Sequence, residues 1–302
     1  MRKIHNFSAG PCILPPEVLL EASEAVKSWG SGLSLIEMSH RSKPFVAVME
    51  ETRALTKELL GLPDRFDILY LQGGASLAFL TAAYNLLPEG GSAAYSDTGT
   101  WANKSIKEAK HLGNIEVVAS AKESGYTGIP VTPKVNEQHS YFHYTSNNTI
   151  YGTQYKGVPS EAGVPLVADM SSDIMSKTFD ASPFSLIYAG AQKNMGPAGT
   201  VMYAFDKNAL GKTGRNIPSY LDLEVHLSKD SMFNTPPVFA VFTTLLTLRW
   251  LKNLGGVKAI ESINNQKAAL IYNEIDRNAL FTGHADMDSR STMNATFKLV
   301  DE

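Results

Sequence analysis

Cysteine is almost missing: Cys12 is the only one in 302 residues. No disulfide within the chain and no cysteine-based metal site can be assembled, and a reducing compartment is expected. Basic charge is not in excess either. The 27 Lys and Arg are scattered among 30 Asp and Glu, for a net charge of −3, which leaves no footprint for nucleic acid. No stretch is apolar enough to span a bilayer, and no apolar core of signal-peptide length follows Met1-Arg2-Lys3-Ile4-His5-Asn6. The expectation is therefore a cytoplasmic chain with no membrane partner. Internal repeats and low-complexity segments are also lacking. Four Asn-X-Ser/Thr matches, at Asn6, Asn103, Asn147 and Asn294, have no secretory signal beside them and are read as chance or as doing other work.

What is present is ordinary globular composition, 43% hydrophobic and 19% charged, in a length that holds one large α/β domain and part of another. Residues 7–15, punctuated by glycine and proline, read as an extended arm. A helix opens at Pro16, with Leu19, Leu20, Ala22, Val26 and Trp29 on its apolar face and Gly30 as its stop. A second opens at Pro44, buries Phe45, Val48, Met49, Leu55, Leu59 and Leu60, and closes at Gly61. Strands are expected at 66–71, 93–95, 115–119, 141–144, 166–168, 186–189 and 199–205, with helices at 77–87 and from Trp101 to near Gly113. Alternation of this kind implies a mostly parallel sheet covered by helices on both faces. Two long helices follow, Val238 to Asn253 and Val257 to Ala279, and a last strand runs from Asn294 to Val300. The expected organisation is an arm over 1–15, a large domain over 16–255 and the start of a smaller C-terminal α/β domain over 256–302.

Chemistry concentrates where strands end. Lys193 follows the apolar run Ser185–Ala189 and small residues, so it reads as an amine delivered to a sheet edge, where burial lowers its pKa and makes it nucleophilic. A surface loop lysine is the plain alternative. Asp169 ends the run Leu166–Ala168, where a carboxylate suits a protonated pyridine nitrogen; a helix N-cap is the alternative there. Together the two outline a pyridoxal-phosphate site. Gln72-Gly73-Gly74-Ala75-Ser76, between a strand and a helix, offers backbone N–H groups and a helix dipole to a phosphate. It lacks the Gly-Lys-Ser/Thr of a Walker loop, which disfavours nucleotide hydrolysis. Trp101 stands at a strand-to-helix junction, placed to stack on a flat ring or simply to fill the core. His40 and Arg41, on a polar loop, suit an anion or a solvated surface. His139 and His143 share a strand face without a third ligand and read as structural, so no metal is expected.

Asn6-Phe7-Ser8-Ala9-Gly10-Pro11, Met38-Ser39-His40-Arg41-Ser42, Leu71–Ala75, Thr145–Ile150, Ala191-Gln192-Lys193-Asn194 and Asn234-Thr235-Pro236 occur in one order. In that order they resemble the phosphoserine aminotransferase family, fold-type-I pyridoxal-phosphate enzymes of class V. The resemblance implies that Lys193 carries the cofactor, Asp169 pairs with its ring nitrogen, Trp101 stacks on the ring and Thr149 lies near the phenolic oxygen. It implies that Ala75, Ser76 and Gln192 hold the cofactor phosphate, completed by Asn234 and Thr235 of a neighbouring subunit in a homodimer with shared active sites. His40 and Arg41 would bind the substrate's distal phosphate or carboxylate. The implied reaction moves an amino group from glutamate to 3-phosphohydroxypyruvate in serine biosynthesis. Some members also accept 4-phosphohydroxythreonine, which adds a link to pyridoxine biosynthesis. Members also continue past residue 302 with a His-Arg-Ser segment and a further arginine that bind substrate anions, so a cofactor-binding chain with impaired turnover is the competing expectation. Another aminotransferase or lyase of the same fold is the nearest rival, and His40 and Arg41 argue against it.

Overall fold

A computed structural model describes residues 4–30 and 32–300. Residues 1–3 of the expected arm and 301–302 of the expected second domain lie outside it. The chain runs through α1 (Pro16–Lys27), α2 (Lys43–Leu60), β1 (Phe66–Gly73), α3 (Ala75–Leu86), β2 (Ser92–Asp97), α4 (Thr100–Ala109), β3 (Asn114–Ser120) and β4 (His139–Thr145). The short pair β5 (Asn147–Asn148) and β6 (Thr153–Gln154) leads to β7 (Leu166–Asp169), β8 (Phe184–Gly190) and β9 (Gly199–Asp206). Helices α5 (Leu223–Leu227), α6 (Val238–Asn253) and α7 (Gly256–Arg277) precede β10 (Phe281–Gly283) and β11 (Phe297–Leu299).

Seven strands form one sheet in the order β1-β9-β8-β7-β4-β2-β3. The pairs β2–β3, β2–β4, β4–β7 and β7–β8 are parallel, and β9 is antiparallel to both β1 and β8. Six strands therefore share one direction and β9 alone is reversed, which agrees with the mostly parallel expectation. The strands read as unbroken apolar runs because both faces are covered. In β1, Ile68 and Tyr70 join the core with Phe45 and Met49 of α2 and Leu245 of α6. Leu69 and Leu71 join the opposite core with Ala78, Phe79 and Ala82 of α3. Period-two alternation thus supplies two cores from one strand. Helix α6 is buried at every position from Ala240 to Leu248, as a helix apolar all round must be, and α1 and α2 pack on it.

Two expectations need correction. Leu19 and Leu20 are 53% and 65% exposed, and α1 buries Val18, Ala22 and Ala25 instead. That helix stops at Lys27, before Gly30, because Ser28 turns extended and Trp29 pairs with Leu33 while its ring packs edge-on at 5.3 Å from Phe242. The C-terminal strand is only Phe297–Leu299, paired with the unexpected β10. Asn294 and Thr296 stay irregular because their side chains bond the backbone of residues 149 and 151. Elsewhere the punctuation holds: Gly61 closes α2 at φ 60°, a left-handed conformation cheap only for glycine. Among the described residues no helix is long and apolar enough to cross a membrane.

Candidate active site

Because β1, β2, β4, β7 and β8 share a direction, the segments carrying Ala75, Trp101, Thr149, Asp169 and Lys193 all leave the same edge of the sheet. That carboxyl edge is where open α/β sheets bind ligands. Lys193 lies in the turn after β8, half-buried, and its Nζ donates to Thr149 Oγ1 at 2.6 Å. The same Nζ stands 5.7 Å from the centre of the Trp101 ring. Burial pulls the lysine pKa below its ordinary value, while the nearby Asp169, Cys12 and Asp173 oppose that shift. The surface-loop alternative is therefore not what the fold builds. The glycine-rich arm explains part of the burial: Cys12 N–H donates to the Gln192 carbonyl at 3.0 Å, and a Cβ on Gly10 would lie 3.1 Å from Lys193 Cγ. The sequence reads as an extended arm here but does not show that Lys193 is what the arm approaches.

Asp169 is 4% exposed at the end of β7, one strand from Lys193's β8. Burial raises its pKa, an effect offset by Ser171 and then by the Lys193 charge. Its Oδ1 accepts from Ser171 N at 2.9 Å and Ser171 Oγ at 2.6 Å, so Oδ2 is left without a protein donor among the described residues. A buried carboxylate with one oxygen pinned and one free is unfavourable alone and favourable beside a cationic N–H. Two groups behind it were missed from sequence. Ser146 Oγ donates to the Asp169 carbonyl at 3.0 Å and to Asp173, whose carboxyl burial also pushes up. Asn147 Nδ2 donates to Ser172 Oγ at 2.9 Å. The only sequence signal for either was the polar run 145–149.

Gly74 caps α3 with no side-chain hydrogen bond, and a Cβ there would meet nothing within 4 Å. Leu77 and Ala78 N–H return to the Gly74 carbonyl, so the donors of Ala75 and Ser76 open onto free space at the positive end of a 12-residue helix. Gln192 folds back over Gly190, where any Cβ would lie 2.7 Å from Gln192 Oε1. Trp101, second residue of α4, has a buried indole N–H with no partner. An amine for an aldehyde, a free carboxylate oxygen for a ring nitrogen, an indole face and an open helix terminus together fit pyridoxal phosphate.

The other expected residues stand apart from this cluster. His40 and Arg41 precede α2, and among the described residues neither hydrogen-bonds Lys193, Asp169, Thr149 or Trp101. His40 is buried with Nε2 unpartnered, and burial, then Arg41, lowers its pKa. Beside it Ser42 Oγ is buried and unpartnered too, and caps nothing. Asn234 and Thr235 border their own chain's β1: Gln72 Nε2 donates to the Thr235 carbonyl at 2.9 Å. His139 bonds Asn136 and Glu116, and His143 bonds Ser105 and Tyr188 through Nε2 while its buried Nδ1 has no partner. Among the described residues no cluster of three metal-ligating side chains occurs. Of the four Asn-X-Ser/Thr matches, Asn147 and Asn294 are committed to each other at 2.9 Å.

Residues 4–302 match the family described as aminotransferase class V. A phosphoserine aminotransferase of Flavobacterium psychrophilum is 60% identical over 299 residues, covering 98% of this chain and 84% of that protein. A solved phosphoserine aminotransferase studied for radiation damage of its Schiff base superposes with a TM-score of 0.95 at 43% identity, covering 100% of this chain and 85% of the other. The phosphoserine aminotransferase of Trichomonas vaginalis, solved with pyridoxal phosphate bound, gives 0.90 at 32% identity, covering 98% and 84%. With a lysine, a carboxylate, an indole and an open helix terminus gathered at one sheet edge, this chain belongs to the phosphoserine aminotransferases of aminotransferase class V.

Proposed function

We propose that Lys193, Asp169, Trp101 and Thr149 carry the chemistry of this transaminase and that the loop before α2 selects its phosphorylated substrate. The reaction transfers the amino group of glutamate to 3-phosphohydroxypyruvate, giving phosphoserine and 2-oxoglutarate, and depends on pyridoxal phosphate. When bound, that cofactor supplies an electron sink for the pair released as the substrate's α C–H bond breaks. The residues supply the rest. Lys193 Nζ, held by Thr149 and lowered in pKa by burial, would hold the aldehyde and would be the base that takes and returns the α proton. Asp169 Oδ2 would keep the ring nitrogen protonated, and Ser171 fixes the carboxylate through Oδ1. Ala75, Ser76 and Gln192 would bind the cofactor phosphate, and Trp101 would cover the ring.

Substrate selection rests on the N-terminus of α2. The Arg41 guanidinium, the unpartnered His40 Nε2 and the idle Ser42 hydroxyl adjoin the uncapped first turn of an 18-residue helix, a donor set suited to a phosphate. A homodimer is part of the same reading: Ile4, Phe7, Ile13 and Leu20 are 65–88% exposed on and next to the arm, the kind of apolar surface a second copy covers. Asn234 and Thr235 would complete the partner's phosphate site. Cofactor retention should then fall on dilution to monomers, and full-strength binding by a monomer would remove those two residues from the site.

The observation that carries the assignment is the buried, Thr149-bonded amine of Lys193 one strand from Asp169. Borohydride reduction of the loaded chain should abolish its visible band and leave the label on Lys193. Glutamate alone should discharge that band in one turnover, and 3-phosphohydroxypyruvate should restore it. A label on any other lysine overturns the assignment.

A further inference from the structure

We propose that Asn294 is a positioning residue that sets the protonation of Lys193 by holding the Thr149 turn. The inference rests on Lys193 as cofactor anchor. Asn294 comes from the far end of the chain, between α7 and β11, yet its Nδ2 donates to the Thr149 carbonyl at 2.8 Å and its Oδ1 accepts from Asn147 Nδ2 at 2.9 Å. Asn147 in turn donates to Ser172 Oγ, which donates back to the Asn147 carbonyl, both at 2.9 Å. The neighbouring Ser171 holds Asp169 Oδ1. Asn294 therefore clamps residues 147 and 149 of the turn bearing Lys193's acceptor, and Asn147 links that turn to the one bearing Asp169's donor.

The turn is closed by Tyr151 and Gly152 N–H donating to the Asn148 carbonyl, and Thr98 Oγ1 donates to Asn148 Oδ1, but none of these bonds falls on the Thr149 carbonyl. Residues 147–148 form a two-residue strand, and Gly152, at φ 70°, lies in the left-handed region. Around that turn the 289–296 segment docks: Ser291 N–H donates to the Gly152 carbonyl at 2.8 Å, and Thr296 Oγ1 to the Tyr151 carbonyl at 2.8 Å. Ser291 Oγ braces Asn294 by donating to its Oδ1 at 3.3 Å and accepting from its N–H at 3.2 Å. Of these contacts only that of Asn294 falls on Thr149 itself. An acceptor held 2.6 Å from an amine favours the ammonium form, so loosening Thr149 removes that support while the burial of Lys193 remains.

The test follows appearance of the visible band when pyridoxal phosphate is added to the cofactor-free full-length chain across pH, because condensation of Lys193 with the aldehyde, with loss of water, requires the free amine. Asn294→Ala and Asn294→Val both lose the donor to Thr149 without adding a charge beside Lys193. Each should move the midpoint of the pH–rate curve down by about 0.5–1 unit, roughly 3- to 10-fold in free amine. Thr149→Val should do the same, and adding Asn294→Ala to it should move the midpoint no further. Thr296→Val, which loses a contact in the same segment away from Thr149, should lower thermal stability and leave the midpoint in place. An unchanged midpoint in a folded Asn294→Ala chain, or an additive shift in the double variant, overturns the proposal. Borohydride labelling of each variant separates this from failure of the anchor assignment, which would place the label away from Lys193.

Discussion

The turns that hold Asp169 and Lys193 and the loop that holds His40 and Arg41 are built in opposite ways. Behind Asp169, Ser146 donates to the Asp169 carbonyl and to Asp173, Asn147 donates to Ser172, and Ser171 donates to Oδ1, so one carboxylate oxygen is pinned before any ligand arrives. Before α2, His40 Nε2 and Ser42 Oγ are buried with no partner and the guanidinium next to them is exposed. Buried polar groups are normally satisfied. The difference teaches that the Asp169 carboxylate is preorganised by the chain's own hydrogen bonds, although Trp101 Nε1 at the same sheet edge is unpartnered, whereas the loop before α2 keeps its donors unpaired, as the proposed anion site would require.

The comparison can be broken first at its preorganised end. Asp169→Asn keeps size and the Ser171 bonds but removes the charge that holds a ring proton, so the chain should fold and bind cofactor while kcat falls roughly 10²–10³-fold. Stopped-flow discharge of the visible band by glutamate measures this, and a near-normal rate would dismiss Asp169 from catalysis. At the other end, Arg41→Ala removes one charge-assisted contact of about 1.5–3 kcal/mol. Its kcat/KM for phosphoserine should drop about 10- to 100-fold, with the glutamate half-reaction changed much less. Equal loss for both substrates would show that Arg41 does not read the phosphate.

The smallest effect sharpens what a buried group looks like when it is purely structural. His143 stacks on Tyr95 at 4.6 Å, and burial drives its pKa from 6.5 to about 3. The unfolded chain takes up a proton below pH 6.5 that the folded chain refuses until near pH 3, so this group's stabilisation is full above 6.5 and is lost as pH falls to about 3. The slope it adds is at most about 1.4 kcal/mol per pH unit. Urea unfolding of His143→Gln against the parent at several pH values in that window should show a flatter decline, and parallel curves would refute the assignment. Activity at neutral pH should change little beside Asp169→Asn.

By itself the sequence determined the alternation of strands and helices, the two-sided burial of the sheet and the placement of Ala75, Trp101, Thr149, Asp169 and Lys193 at strand ends. These follow from apolar period, glycine turns and the common direction of parallel strands, all local signals. It misjudged α1, because Leu19 and Leu20 are apolar residues whose exposure is set by what α1 packs against, not by their own chemistry. Only the tertiary structure decided that Gly10 closes over Lys193, that Ser146 and Asn147 back the Asp169 turn, and that Asn294 reaches residue 149 across 145 positions of chain. Such contacts leave no periodic trace. A lone Asn or Gly carries no information about its partner until the sheet and α7 bring the two segments together.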